Sequence, residues 1–409
     1  MIHNMKVKNL YSIGLEQEFD FTCAKMIDNS VAETKFGYIN KINCIIGNNG
    51  AGKTNFLKAV TFFRWLAEES FYKSKGDELI PFEPHYLSSN KLTTMQMTFD
   101  KNDKLFKLEF ELNKKYILSE KLSIKKNGDI KFKKVYSVSR KDNKLLTLYS
   151  EYLKPLNKNE RDRFKSKNNC SLFSYLIMTG ALTHLGLNSI FTSFYSNLSE
   201  AGMVDIPILY DCFRISEMLK ETKKYKDVIL KTLKTFDIGI NDISENSNGQ
   251  FVVHNAKTDK VIMDKEVISL VHGTNKQKFE VPLPFESSGT IRSLSLLFPI
   301  IDVLNNGGLL VVDEIEKSKH PIIIKKLISS FEYLIKDNND VQIIFSTHQP
   351  LLLDNRNKSQ IFLAEKTDYI NTEIYRLDDV EGVRNDENFA MKYLSGRYGA
   401  TPRGEVKID

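Results

Sequence analysis

Gly47-Asn48-Asn49-Gly50-Ala51-Gly52-Lys53-Thr54 is the stretch from which the rest of the chain is read. It fits G-x-x-x-x-G-K-[ST], the phosphate-binding loop. Ahead of it, residues 38–46 read as a strand that closes on a fully apolar end. Behind it, Phe56, Val60, Phe63 and Ala67 recur at helical spacing on one face. Strand, glycine turn and helix are what the chemistry requires. The glycines let backbone N–H groups from Asn48 to Gly52 converge on phosphate oxygens, and the helix N-terminus adds the positive end of its dipole. Lys53 is placed to reach β- and γ-phosphates, and the Thr54 hydroxyl to hold Mg²⁺. A glycine-rich turn without a ligand is the plainer alternative, and the strand–helix context speaks against it. The loop implies binding of a nucleoside triphosphate.

A second half to such a site is visible downstream. Leu309-Leu310-Val311-Val312-Asp313-Glu314 is a buried-strand pattern ending in two carboxylates. Asp313 is the candidate partner of Mg²⁺ and Glu314 the candidate base that polarises the attacking water. Taken alone, a strand ending in two acidic residues is common. Residues 341–348 form another apolar strand, ending in His348. The helical stretch 321–336 separates the two, the spacing of a strand–helix–strand unit with both ends on the ligand edge of a sheet. His348 is then expected to contact the γ-phosphate, although a lone histidine at a strand end is more often structural.

The chain has 409 residues, 41% of them hydrophobic and 27% charged, as in an ordinary globular protein. No apolar run follows the charges at the N-terminus, so no secretory signal is expected. The most apolar stretch, 172–191, includes His184 and several Ser and Thr residues, and reads as a buried helix pair in preference to a membrane span. Cys23, Cys44, Cys170 and Cys212 make no C-x-x-C pair and read as buried small hydrophobes of a reducing, cytoplasmic protein.

The formal net charge is +6. Residues 101–144 alone carry 14 Lys and Arg against 6 Asp and Glu, so the remainder of the chain is slightly acidic. Such a lobe could track the backbone of double-stranded DNA. No arginine–aromatic interleaving accompanies the lysines, which favours a solvated face. The alternation at 95–99, 106–112 and 117–124, followed by Asn127-Gly128, predicts a β-meander there. From 149 to 236 the pattern turns helical without sustained heptads, and 250–281 returns to short strands.

Phe285-Glu286-Ser287-Ser288-Gly289-Thr290-Ile291-Arg292 precedes an apolar helix and the Asp313-Glu314 strand. The order P-loop, Ser-Ser-Gly, Asp-Glu, His resembles the ABC-type ATPase heads of the SMC, RecF and OLD proteins. Gly-x-Asn-Gly-Ala-Gly-Lys-Thr-Asn, which ends at Asn55, belongs to that likeness. So do Asp313 to Ser318 with His320-Pro321, and Ser346-Thr347-His348-Gln349-Pro350. The resemblance implies ATP and Mg²⁺ as cofactors. It also implies that Ser287, Ser288 and Gly289 act in trans, closing on the γ-phosphate held by a second copy in a homodimer or higher homo-oligomer. Within the group the chain looks like the prokaryotic defence ATPases of the RloA and AbiL type, on Glu-Ser-Ser-Gly-Thr-x-Arg and the tail Gly396-Arg397-Tyr398-Gly399-Ala400-x-Pro402. Glu286 departs from the leucine of transporter signatures, and Gln96 is a weak candidate for the Gln loop.

The fold class expected is α/β, a P-loop ABC-type head with an N-terminal antiparallel β-layer and an inserted β-meander plus helical lobe. Residues 1–99 and 281–409 are expected to form the head and 100–280 the insertion. About 60 residues follow His348 without an acidic cluster spaced for a two-metal nuclease. The resemblance therefore implies that any destructive activity sits on a separate effector of Toprim/RloB type. Alternatives are a RecF/SMC-like repair or chromosome-maintenance ATPase and a non-hydrolysing nucleotide-gated scaffold. Glu314 argues against the last.

Overall fold

The computed structural model describes residues 1–401 except 27, 76–77, 142–143, 150–151, 154–156, 166, 199–207, 222–225, 236–238, 245–249, 255–260, 274–276, 318–320, 337, 339 and 369. Ser318, His320 and Pro402, singled out above, lie outside the described residues. The chain divides into two units: Met1–Val204 with Asn306–Ile315 and Glu332–Asp409, and Asp205–Asn305 with Glu316–Phe331.

The first unit is built on three apolar runs. Ile42–Gly47, Gly308–Val312 and Val341–Thr347 are buried along their whole length. Continuous apolar runs of this kind belong in parallel sheets covered on both faces. They form the centre of a six-stranded sheet ordered Ser193–Ser196, Gly308–Val312, Val341–Thr347, Ile42–Gly47, Ile361–Thr367, Asn371–Arg376. All neighbours are parallel except the last pair. The strands that carry Gly47, Asp313 and His348 at their C-terminal ends are therefore adjacent, which is where open α/β sheets bind ligands.

The helix Lys53–Glu68 leaves the P-loop and is buried on nearly every side, with eleven buried residues in sixteen. A helix apolar all round needs cover on two sides. One side faces the six-stranded sheet. The other faces a seven-stranded antiparallel sheet, on which Phe63 meets Phe110 edge-on with ring centroids 5.4 Å apart. Phe56 meets Phe19 at 4.0 Å.

That second sheet runs in space from Lys144–Tyr149 through Lys133–Lys141, Ile117–Lys126, Lys104–Leu112, Thr93–Lys101 and Ile2–Lys8 to Gln17–Asp20. The expected meander is present, and it is continuous with the N-terminal strands because Ile2–Lys8 pairs with Thr93–Lys101. A two-residue turn at Asn102-Asp103 has both residues at positive φ, the type I′ geometry that matches strand twist. Asn127-Gly128 lies instead in a longer connection, with Gly128 at φ 86°. Many of the lysines here are paired: Lys107 and Lys121 with Glu109, Lys114 with Glu83, Lys133 with Asp129.

Three sequence expectations are corrected. The single strand over 38–46 is two, Gly37–Asn40 and Ile42–Gly47, which lie in different sheets. The switch is at Lys41, fully buried, whose ammonium donates to the carbonyl of Ile335 at 2.7 Å. The stretch 172–191 holds one helix, Leu172–Met178, and a short 3₁₀ turn, Thr183–Leu185, in place of a helix pair. Lastly, the helical stretch from 149 to 236 is interrupted by Ser193–Ser196, the edge strand of the central sheet. No described helix is long and apolar enough to cross a membrane. Cys44, Cys170 and Cys212 are buried thiols, as expected, while Cys23 is only partly buried.

The second unit contains helices Ile208–Glu221 and Lys226–Thr235, and a three-stranded antiparallel sheet of Ile240–Ser244, Ser269–Gly273 and Lys278–Pro282. It also holds the hairpin Gln250–His254 with Val261–Glu266 and the apolar helix Ser288–Asn306.

Candidate functional site

The P-loop takes its shape from left-handed backbone that glycine alone adopts without strain. Gly50 has φ 75° and a Cβ there would meet nothing, so the loop is open on that side. Gly52 has φ 107°, and a Cβ there would fall 2.1 Å from Thr372 Oγ1. Thr372 is fully buried and braces the loop from behind, donating to the Ala51 carbonyl at 2.9 Å. Its hydroxyl also meets Ser12 Oγ at 2.7 Å, and Ser12 in turn accepts from Asn55 Nδ2 at 2.7 Å. Asn55, expected at the nucleotide, thus spends its amide on bracing the loop. Asn48 and Asn49 lie at the loop's outer turn, and the Asn48 carbonyl accepts the Ala51 N–H at 3.2 Å.

Lys53 is buried, its ammonium donating to the carbonyls of Gly47 at 2.8 Å and Asn48 at 2.9 Å. This holds the charge in the hollow of the loop, where a β- or γ-phosphate oxygen would meet it. Thr54 Oγ1 lies 2.9 and 3.1 Å from the two Asp313 carboxylate oxygens. Asp313 is buried and also accepts from Ser346 Oγ at 2.5 Å. A hydroxyl and a buried carboxylate are hard oxygen donors and suit Mg²⁺. No group of three or more His, Cys, Asp or Glu side chains among the described residues could hold a metal. A cation here would therefore complete its shell with phosphate oxygens and water, as Mg²⁺ does in nucleotide sites. The residues present fit Mg²⁺–nucleotide.

Glu314 follows at φ 46°, a left-handed conformation rare for a residue with a side chain. It is held there: its N–H donates to Ser346 Oγ at 2.8 Å, and the N–H of Ile315 to the Ser346 carbonyl at 3.1 Å. Such backbone costs of order 1–3 kcal/mol and persists where its surroundings over-determine it. The turn aims the Glu314 carboxylate toward the histidine strand, 3.8 Å from His348 Nε2, with both side chains partly exposed. Lys53, Thr54, Asp313, Glu314 and His348 are thus gathered along one edge of the sheet.

Two further residues at this edge were given no role by the sequence. Ser346 bonds both Asp313 and the backbone of Glu314. Asn197 bonds the Asp313 backbone twice, its Oδ1 accepting the N–H and its Nδ2 donating to the carbonyl, each at 2.7 Å. Ser346 stands in the Ser-Thr-His string and offered a signal. Asn197 follows a strand that went unrecognised and offered none.

Ser287, Ser288 and Gly289 belong to the second unit. Ser287 Oγ accepts the Thr290 N–H at 3.1 Å and so caps the helix Ser288–Asn306. Ser288 is exposed at the helix start. Glu286, in place of the transporter leucine, is engaged by His272 Nε2 at 2.6 Å. Gln96 lies within the strand Thr93–Lys101 of the antiparallel sheet, opposite Lys6 and Glu109.

The family model described as "AAA domain, putative AbiEii toxin, Type IV TA system" matches residues 42–171 and 207–354. Comparison with curated proteins gave no match. Among solved structures, the chain is similar to the SMC head domain from Thermotoga maritima, with 12% identity, 92% of this chain and 98% of that one covered, and a TM-score of 0.42. It is also similar to an SmcHead bound to the C-winged helix domain of ScpA, with 14% identity, coverage of 93% and 99% and a TM-score of 0.43. A third is the Smc head domain with an extended coiled coil bound to the C-terminal domain of ScpA derived from Pyrococcus furiosus, with 11% identity, coverage of 97% and 99% and a TM-score of 0.44. The family match takes in more than half of the residues, and the chain belongs to this family of AAA domains.

Proposed function

We propose that this chain binds and hydrolyses ATP, dimerises around two ATP molecules and serves as the sensor or regulatory subunit of an antiphage abortive-infection system. The observation that carries the reading is the convergence of Thr54, Ser346 and the Asp313 carboxylate beside the Glu314–His348 pair. Mg²⁺, when bound, supplies a Lewis acid that draws charge from the transferring phosphoryl group. Lys53 and the loop N–H groups bind the phosphates, and Thr54 and Asp313 orient the cation. Glu314 accepts the proton of the attacking water, and His348 fixes the γ-phosphate end. Ser288 and Gly289 of a second copy are assigned to close the site in trans.

The family description, with its putative toxin of a type IV toxin–antitoxin system, supports a defence role. The RloA/AbiL-like strings around Ser287 and Asp313 and the Gly396–Ala400 tail support the finer assignment, with a separate Toprim/RloB-type nuclease as the controlled effector. The tail is built with care: Tyr375 donates to the Tyr398 carbonyl at 2.8 Å, and Glu365 accepts the Ala400 N–H at 3.1 Å.

A RecF/SMC-like role on DNA is the second reading, favoured by the excess of lysine over residues 101–144. ATP turnover by the purified chain, with and without duplex DNA at low and moderate salt, separates the two. The defence-regulator reading expects turnover indifferent to DNA. Strong stimulation that fades with salt assigns the basic sheet to DNA, and absence of any turnover overturns the hydrolytic reading.

A further inference from the structure

The edge strand Ser193–Ser196 ends its pairing at Ser196, opposite Val311. Beyond that point the ladder continues by other means. The carboxamide of Asn197 presents one acceptor and one donor, the same pair that a peptide group presents. It uses both on Asp313, each at 2.7 Å. The orientation of the amide is fixed by its partners, since a backbone N–H only donates and a carbonyl only accepts. Asn197 thereby supplies one more rung just where the chain turns into the left-handed conformation of Glu314.

This clasp completes the fixing of Asp313. Thr54 and Ser346 hold its carboxylate, and Asn197 holds its backbone on both sides. We propose that Asn197 is a positioning residue for Mg²⁺–nucleotide: it sets the aim of the Asp313 carboxylate at the cation and, one peptide on, of Glu314, while touching neither cation nor nucleotide. The inference rests on the nucleotide reading above. Removing the carboxamide leaves the carboxylate in place but on a backbone free to rotate. Groups that orient a metal partner in this way are typically worth about 10–100-fold in metal affinity or activity.

The test compares the full chain with Asn197→Ala and Asn197→Asp. The affinity of a fluorescent ATP analogue is measured at equilibrium with Mg²⁺ and with EDTA, alongside thermal melting. The wild type is expected to bind more tightly with Mg²⁺, and Asn197→Ala to lose about tenfold or more of that increment, with affinity in EDTA unchanged. Asn197→Asp keeps the acceptor for the Asp313 N–H but opposes an oxygen to the Asp313 carbonyl. It is close to isosteric, serves where alanine does not fold, and is expected to show the same selective loss. Equal losses with and without Mg²⁺, or a lowered melting temperature with an intact Mg²⁺ increment, overturn the proposal. A wild type that binds no analogue in either condition overturns the nucleotide reading itself, and the inference with it.

Discussion

His348 Nε2 stands 3.8 Å from Glu314 Oε1, two side chains brought together from the ends of adjacent parallel strands. The separation is longer than a hydrogen bond, so the two groups flank a common point and are not locked to each other. A water or phosphate oxygen at that point is within reach of both. His348→Ala is expected to lower ATP turnover by about 10²-fold, within the range for a positioned polar group at a reacting centre, while analogue affinity changes little. Steady-state kinetics beside equilibrium binding checks this; equal losses in both place His348 in ground-state binding alone.

Gly52 is a position where the loop has no freedom. Its φ of 107° and the buried Thr372 hydroxyl behind it leave no room for a methyl group. Gly52→Ala is expected to abolish analogue binding and to cost at least about 1–2 kcal/mol of stability from the backbone alone. Gly50→Ala, in open space though also at positive φ, is expected to cost only that backbone share. Binding titrations and chemical denaturation of the two variants make the comparison.

Glu120 is the fully buried carboxylate of the antiparallel sheet. It accepts from Tyr136 Oη at 2.6 Å, Ser171 Oγ at 3.1 Å and the N–H groups of Leu172 and Phe173 at 2.8 and 2.7 Å, capping the helix Leu172–Met178. Burial raises its pKa, against the lowering effect of these donors and of Arg140. A raised carboxyl contributes stability that is present below its unfolded value of about 4.3 and is lost as pH rises through the folded value. Glu120→Gln turns an amide donor toward one of the N–H groups and is expected to cost about 1–3 kcal/mol. The gap to wild type should narrow as pH rises above about 4.3. Denaturation at several pH values reads the trend, and a widening gap contradicts it.

The parts of this architecture legible in the sequence are those set by local rules. Gly47–Thr54 announces its geometry through its glycines, and the strands leading to Asp313 and His348 through largely apolar runs of the kind a doubly covered parallel strand requires. What escaped depends on distant partners. Ser193–Ser196 is four residues of mixed polarity whose strand character comes from Gly308–Val311 alongside. Lys41 falls inside the stretch 38–46 that reads as one strand, yet it is the switch between two sheets, buried because a helix end 294 residues away offers a carbonyl. Asn197 acquires its role from Asp313, 116 residues on. The bonds that Asn55 and Ser287 make here were not legible for a related reason: each depends on a nearby hydroxyl or backbone group that only the fold supplies.

In the function proposed above, ATP closes two copies of this chain on each other and hydrolysis at Glu314 releases them. Sedimentation of Glu314→Gln at saturating ATP and Mg²⁺ tests it most directly. The account predicts an ATP-dependent dimer that persists in this variant, is absent in Lys53→Ala, and is lost when Ser288→Arg is added. A Glu314→Gln protein that binds ATP and keeps its nucleotide-free assembly contradicts it.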